Sequence, residues 1–316
     1  MQQYILRRLL MLFPVVLGVS FLVFTVMHMV PGDTVLLRLA ESPSASQKDV
    51  EELRVELGLD KPFLVQYLDW LGQLARGDLG RSLWTDDPVA DDIASRLPVT
   101  IELGILAAVV SALLGVSAGV VSAVRQDSIV DYALRIFVTL GLAIPNFALA
   151  TLALVLLGVW FQWSPGVWYT PFTEDPAANL RQMFLPALLL GFSLSASIAR
   201  MTRSSMLEVM RQDYVRTATA KGLKERSVIL RHALKNAMPP VLTIMGLQFG
   251  FLMGGAVVIE SIFGLPGLGR LMLDGINQRD YVLIQGAVFV VATSYVLVNI
   301  AVDVSYGFLD PRIRYS

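Results

Sequence analysis

Six stretches of this chain are long and apolar enough to cross a bilayer, and that constrains its fold more than anything else in it. A hydrocarbon core takes roughly 20 helical residues to span. The runs at residues 9–30, 99–124, 133–161, 184–199, 237–259 and 281–306 meet or approach that length with few charges. In lipid each backbone N–H and C=O must find a partner inside its own segment, so each run is expected to be a helix. The fourth run is short, but its helix can continue through Arg200 beyond the membrane. Of 316 residues 55% are hydrophobic and 16% charged, against about 25% charged in a typical soluble domain. The expectation is an all-α membrane protein with six transmembrane helices.

Arg7 and Arg8 precede the first run as in a signal peptide. The run exceeds the usual h-region of about 7–15 residues and no small-residue cleavage site follows, so it reads as a retained span. The net charge of −1 averages two unlike sets of segments. Segments 1–8, 125–135, 200–236 and 307–316 hold 15 Lys/Arg against 6 Asp/Glu, while 31–98, 162–183 and 260–281 hold 10 against 18. Basic residues concentrate in cytoplasmic loops, which puts both termini in the cytoplasm.

Residues 1–30 therefore read as a tail and first span, 31–98 as a small extracytoplasmic helical insertion, and 99–316 as a five-helix core with a cytoplasmic loop at 200–236. Within the insertion, Ser46 with Asp49 caps one short helix that Gly58 stops. A second runs from Pro62 to Gly77 with Leu64, Tyr67, Leu68, Leu71 and Leu74 on one face. In the second span Ala107, Ser111, Gly115, Gly119 and Ala123 recur every four residues, and in the fifth Gly246, Gly250 and Gly254 do so. Small residues at that spacing let helix backbones approach closely in lipid.

Polar residues inside the spans are candidates for the lining of a passage: Asn146 after the kink-forming Pro145, Ser193 and Ser197 one turn apart, and Gln248. Each could equally make a helix-to-helix hydrogen bond. The ionisable residues Glu102, Asp303 and His28 lie toward span ends, whereas an ion-coupled transporter usually carries a charge near the midplane.

The chemistry of an enzyme is not evident. There is no Gly-x-x-x-x-Gly-Lys-Ser/Thr loop to cradle phosphate, and "GLPGLGR" at 264–270 lacks the lysine. Two histidines, His28 and His232, are expected on opposite sides of the membrane, which disfavours a histidine metal site. With no cysteine, thiolate chemistry and disulfides are excluded. No metal, cofactor or nucleic-acid partner is expected of the chain itself.

The cytoplasmic segment remains. Leu207, Met210, Tyr214 and Ala218 continue the helical stripe of the fourth span, Gly222 breaks it, and a short helix from Ser227 puts Leu230, Ala233, Leu234 and Ala237 on one face before Pro239 and Pro240 begin the fifth span. Such a knob, apolar at its edge and basic at its rim, suits either a protein partner or anionic lipid.

"RTATAKGLKERSVILRHALKNAMPP" at 216–240 resembles the cytoplasmic EAA loop of ABC importer permeases, in the wording of the dipeptide, oligopeptide and nickel family. Arg216, Thr217 and Ala218 stand at its first three positions, Gly222 follows after three residues, and nine more lead to His232, Leu234, Lys235 and Asn236. Only Ala218, Gly222 and Leu234 match the general pattern literally; Arg216 replaces its usual acid. "YILRRLL", "MVPGD", "LGLDKP", "GDLGRS", "RMTRSSMLEV", "FGLPGLGRL", "QRDY" and "DPRIRY" resemble the same family in the same order.

The resemblance implies a type I importer permease in a bacterial or archaeal inner membrane, with the EAA loop as a coupling helix. The implied partners are a second homologous permease, two ATPase subunits that bind ATP and Mg2+, and an extracytoplasmic binding protein. The last would meet the outer loop at 260–281, including Glu260, Gly264, Pro266, Gly267, Gly269 and Arg270. Peptides are the implied cargo, with nickel, glutathione, haem or oligosaccharide as alternatives. A stand-alone secondary transporter is the alternative class.

Overall fold

The computed structural model describes residues 2–29, 51, 55, 58–166 and 168–309, and in them the chain is helical apart from turns and one isolated β-bridge between Arg81 and Pro88. The elements are α1 (Gln2–Met29), α2 (Phe63–Leu74), α3 (Val89–Val124), α4 (Ile129–Ala143), α5 (Asn146–Phe161), α6 (Pro176–Met210), α7 (Asp213–Ala220), a short turn Glu225–Ser227 running into a π-helical segment Val228–Leu234, α8 (Lys235–Phe263), α9 (Leu268–Gln278) and α10 (Tyr281–Leu309). Among the described residues four helices are long and apolar enough to span a membrane. The count reaches six if α4 with α5, and the end of α8 with α9, each form one broken span. The expected helix capped by Ser46 and the "DPRIRY" terminus lie outside the described residues.

Caps set where the spans begin. Asp175 accepts hydrogen bonds from the N–H groups of Ala177 and Ala178, both at 3.0 Å, and Pro176 follows at the first helical position. α6 thus starts well before the apolar run at 184, and its 35 residues extend about 50 Å, longer than the hydrocarbon core. α3 likewise begins ten residues before the expected 99, with Asp91 and Asp92 in its first turn, where the helix dipole favours acids.

The third expected span is not one helix. α4 and α5 meet at 103°. Pro145 has no N–H, and its ring drives Ile144 into an extended conformation (φ −87°, ψ 121°), so helix α4 ends and a new one starts at Asn146. The opposite correction applies to Pro239 and Pro240. They do not begin the fifth span but sit inside α8. The carbonyls they leave without a partner belong to Lys235 and Asn236, both exposed, where water can serve them.

By internal packing the described chain forms two units, one of residues 99–265 with the chain from 298 onward and one of residues 2–98 with 266–297. The segment 266–297, expected in the permease core, groups instead with the N-terminal residues. In the first unit Leu103 and Ala107 of α3, Met183 and Leu190 of α6, and Leu252 and Ile259 of α8 share one apolar core. The α3 stripe is buried throughout, and its partner is α6. A Cβ on Gly115 would lie 2.6 Å from Ile198 Cβ, and one on Gly191 would lie 2.6 Å from the Ala107 carbonyl oxygen. In the fifth-span stripe Gly246 is buried, while Gly250 and Gly254 fall outside the residues whose surroundings are described.

In the second unit Val89, Ile93, Leu268, Leu271, Leu283 and Ala287 form a separate core. The expected helix between Pro62 and Gly77 is present as α2, held to α1 by rings: Phe24 lies 5.2 Å from Phe63 and 5.5 Å from both Tyr67 and Trp70. Ser20 and Tyr67 share a hydrogen bond of 2.9 Å, and His28 shares one of 3.0 Å with Gln66.

Candidate functional site

Between α6 and α8 the chain folds a compact knob. α6 stops at Met210, so the stripe Leu207–Met210–Tyr214–Ala218 is not carried by one helix; Arg211 and Gln212 turn the chain into the two-turn α7. Val215 and Ala218 on its inner face are buried against Val228 and Val209. After α7, Gly222 adopts φ +75°, the left-handed conformation in which a side chain is strained. A Cβ there would meet nothing within 4 Å, so backbone conformation alone demands glycine.

The returning arm winds as a π-helix over Val228–Leu234. Its i to i+5 bonding changes which residues share a face. Ala233 and Ala237 pack against Met206 and Ala123, with Leu234 half-buried beside them. Leu230, expected on that face, is instead 47% exposed. Asn236 ties the two arms together, donating from Nδ2 to Tyr214 Oη at 2.9 Å and to the His232 carbonyl at 2.8 Å.

The coupling-loop candidates therefore divide by direction. Ala218 and Leu234 point inward and hold the knob, His232 is half-buried, and Arg216, Thr217, Lys235 and Asn236 are exposed. Arg216 pairs with Asp213 at 3.7 Å, with both side chains mostly in solvent; such a pair contributes little. Tyr214, Leu223 and Leu230 are large apolar side chains left exposed on the knob among Arg216, Lys221, Lys224, Arg226 and Lys235.

The passage candidates lie on three different helices. Asn146 opens α5 beside the break. Ser193 donates to the Gly141 carbonyl at 3.4 Å, a helix-to-helix bond, and Ser197 is half-buried one turn on. Gln248 on α8 has its Oε1 buried without a hydrogen-bond partner among the described residues. Asp303 lies outside the residues whose side chains are described.

The segment 260–281 is mostly helical rather than a loop. Glu260 is fully buried and accepts from Thr100 Oγ1 at 2.6 Å; Gly267 and Gly269 are buried too. A run of small and apolar neighbours lets the backbone pack here, so of the expected outward-facing residues only Gly264 and Arg270 are exposed, with Pro266 half-buried. Gly264 closes α8 at φ +68°. Asp280, in "QRDY", is fully buried and accepts from Ser82 Oγ at 2.6 Å and from the N–H groups of Leu83 and Leu283 at 3.1 Å. It clasps the "GRS" turn to the start of α10.

Two polar clusters were not visible in the spacing of the sequence. Asp131 is fully buried, and Arg203 grips it with Nη2 at 2.8 Å from Oδ2 and Nε at 3.0 Å from Oδ1. Ser122 Oγ also donates to Oδ1, and the Asp127 N–H donates to Oδ2 at 3.1 Å. This knot joins α3, α4 and α6. Its one local signal was the capping pair Ser128 and Asp131, whose N–H donates to Ser128 Oγ at 3.3 Å. In a second cluster Tyr169 donates to Glu102 Oε2 at 2.8 Å, and burial followed by that bond raises the Tyr169 phenol above its ordinary pKa.

Comparison with known proteins bears on this arrangement directly. The profile of the family described as "Binding-protein-dependent transport system inner membrane component" matches residues 115–315, and that of its N-terminal region matches residues 1–104. A Brucella abortus (strain 2308) protein named for a peptide transport system permease is 45% identical over 316 residues, covering 100% of both chains. The dipeptide transport system permease protein DppB of Alkalihalophilus pseudofirmus and the glutathione transport system permease protein GsiC of Escherichia coli O6:H1 are each 41% identical, again over 100% of both chains. Among solved structures, a chain of the MetNI methionine ABC transporter in inward-facing conformations superposes with a TM-score of 0.57 at 15% identity, over 69% of this chain and 96% of that one, a likeness of fold.

Proposed function

The chain belongs to the family of binding-protein-dependent transport system inner membrane components, and from that premise we propose that it forms half of the translocation pathway of an ATP-driven peptide importer. Its partners in this reading are a second homologous permease, two ATPase subunits that bind ATP and Mg2+, and an extracytoplasmic binding protein that delivers cargo. Both termini then face the cytoplasm, as the distribution of basic residues supports.

The observation that carries the reading is the knob. A chain without a phosphate-binding loop folds residues 213–234 into a self-supporting projection whose exposed Tyr214, Leu223 and Leu230 are rimmed by basic side chains. Apolar anchors within a charged rim are what a groove on a second protein recognises. ATP binding would draw the two ATPases together and carry the knobs inward, opening the cavity outward to the binding protein; hydrolysis would reset it. The buried contacts of Ala233 and Ala237 with Met206 and Ala123 connect the knob to α6 and α3, so movement of one is transmitted to the others.

Gly222→Val tests this. A β-branched residue at φ +75° costs roughly 1–2 kcal/mol or more in that conformation. The variant is expected to assemble but to lose at least tenfold in uptake and in transport-linked ATPase activity. Unchanged coupling at equal assembly would remove the coupling role from the knob.

The relative named for glutathione transport supports a second cargo of the same chemical class, a short peptide. Identifying the ligand retained by the co-purified binding protein separates the two.

A further inference from the structure

We propose that the cavity between α3, α4 and α6 holds the phosphate headgroup of an anionic glycerophospholipid. The cavity has a volume of about 680 Å³, and four arginines line it: Arg135, Arg200, Arg203 and Arg211. Arg203 is already neutralised by Asp131. Arg135 only leans over the Tyr132 ring, 5.5 Å from its centroid. Arg200 and Arg211 form no ion pair or side-chain hydrogen bond among the described residues. Against these three uncommitted guanidiniums stands one carboxylate in the lining, that of Glu208.

The rest of the wall mixes apolar Leu134, Val138 and Leu207 with the neutral polar side chains of Ser122, Thr139, Ser204 and Gln212, of which Ser204 and Gln212 can donate further hydrogen bonds to phosphate. On the same helix as Arg135, α4 leaves Ile136, Phe137 and Leu140 exposed at 63%, 47% and 50%. A site that combines surplus positive charge with an adjoining apolar face matches a ligand with an anionic head and an acyl tail. Arginine suits phosphate because its planar donors engage two oxygens at once. Location agrees, because segments 125–135 and 200–236 belong to the basic side of the chain, the leaflet where anionic lipids give the surface its negative potential and where basic pockets between spans take phosphate headgroups. The inference rests on membrane location and charge and not on the cargo or on docking of an ATPase.

The full-length chain, purified with its co-expressed partners, would be titrated with dioleoyl-phosphatidylglycerol and with the zwitterionic dioleoyl-phosphatidylcholine, and retained lipid counted by native mass spectrometry. Phosphatidylglycerol is expected to be retained selectively. Each guanidinium removed should weaken it roughly fivefold, so Arg200→Gln/Arg211→Gln should lose more than tenfold, while Arg76→Gln, exposed in the extracytoplasmic segment, should lose nothing. Arg135→Gln, a single change at an exposed position, repeats the test if the double variant does not assemble. Inorganic phosphate at the same concentration should fail to compete; competition would make the ligand a free anion and overturn the assignment to lipid. Equal retention of the two lipids, or unchanged retention in the variants, would also overturn it. So would a wild type that retains no lipid while the double variant separates into subunits, which would make the cavity part of a protein interface.

Discussion

Asp131 is a fully buried carboxylate, a charge that a protein interior tolerates only when it is paired and hydrogen-bonded, and four donors make its burial tolerable. Arg203 supplies two, Ser122 one and the Asp127 N–H one. Asp131→Asn would remove the charge and one acceptor face, leaving the Arg203 guanidinium without its ion-pair partner, though its Nε still donates to Ser122 Oγ at 3.0 Å. Breaking a buried pair from one side costs about 3–5 kcal/mol; the Arg203 side chain is 23% exposed, which places this one toward the lower end. The variant should melt several degrees below wild type in detergent or nanodiscs. Asp131→Leu/Arg203→Met should recover part of the loss, since an apolar pair needs no donors. A melting temperature equal to wild type in Asp131→Asn would mean the knot contributes nothing. Asp131 and Arg203 lie 72 residues apart, so sequence spacing carried no hint of the pair. Gly222 was legible because its requirement is local: a helix, a break and a helix within a short segment need one residue free to take positive φ.

At the scale of helices, the small-residue stripe of α3 was readable as a packing surface, but its partner was not. The structure assigns it to α6. A Cβ on Gly119 would stand 2.5 Å from Thr202 Cβ and 2.6 Å from the Ala199 carbonyl oxygen, and the latter is backbone that cannot swing aside. Gly119→Ala should therefore force α3 and α6 apart at about 1–3 kcal/mol, read as a lower melting temperature. At Gly222, where a Cβ meets nothing, an alanine would bring only the backbone penalty. If Gly119→Ala proved neutral, the close approach of α3 and α6 would be wrong. The π-helical turn shows the limit of period-based reading. A 3.6-residue repeat places Leu230 with Ala233 and Ala237, but the wider winding leaves Leu230 outside, and nothing in "VILRHAL" announces that winding. The prolines err both ways: Pro145 ends a helix, whereas Pro239 and Pro240 are accepted inside one.

Across the whole molecule, transport requires polar groups along a route through the lipid; we propose Asn146 at the α4–α5 break, Ser193, Ser197 and Gln248, whose Oε1 is buried with no hydrogen-bond partner among the described residues, as candidates for that route. Asn146→Leu is expected to reduce peptide uptake several-fold at unchanged assembly, measured in proteoliposomes with the binding protein and ATPases present. Uptake kinetics identical to wild type would make Asn146 a packing residue. The sequence by itself determined that the chain is helical, lives in a membrane and carries a basic knob between two spans. Those properties depend on run length, backbone satisfaction in lipid and residues within a few turns of one another. Only the tertiary structure decided that 266–297 joins the N-terminal unit, that Glu260 is buried rather than presented outward, and that Asp131 meets Arg203. These outcomes depend on which surfaces can approach within contact distance. Hydrophobicity cannot select among apolar helices already surrounded by lipid, so side-chain shape and hydrogen bonding choose the partners.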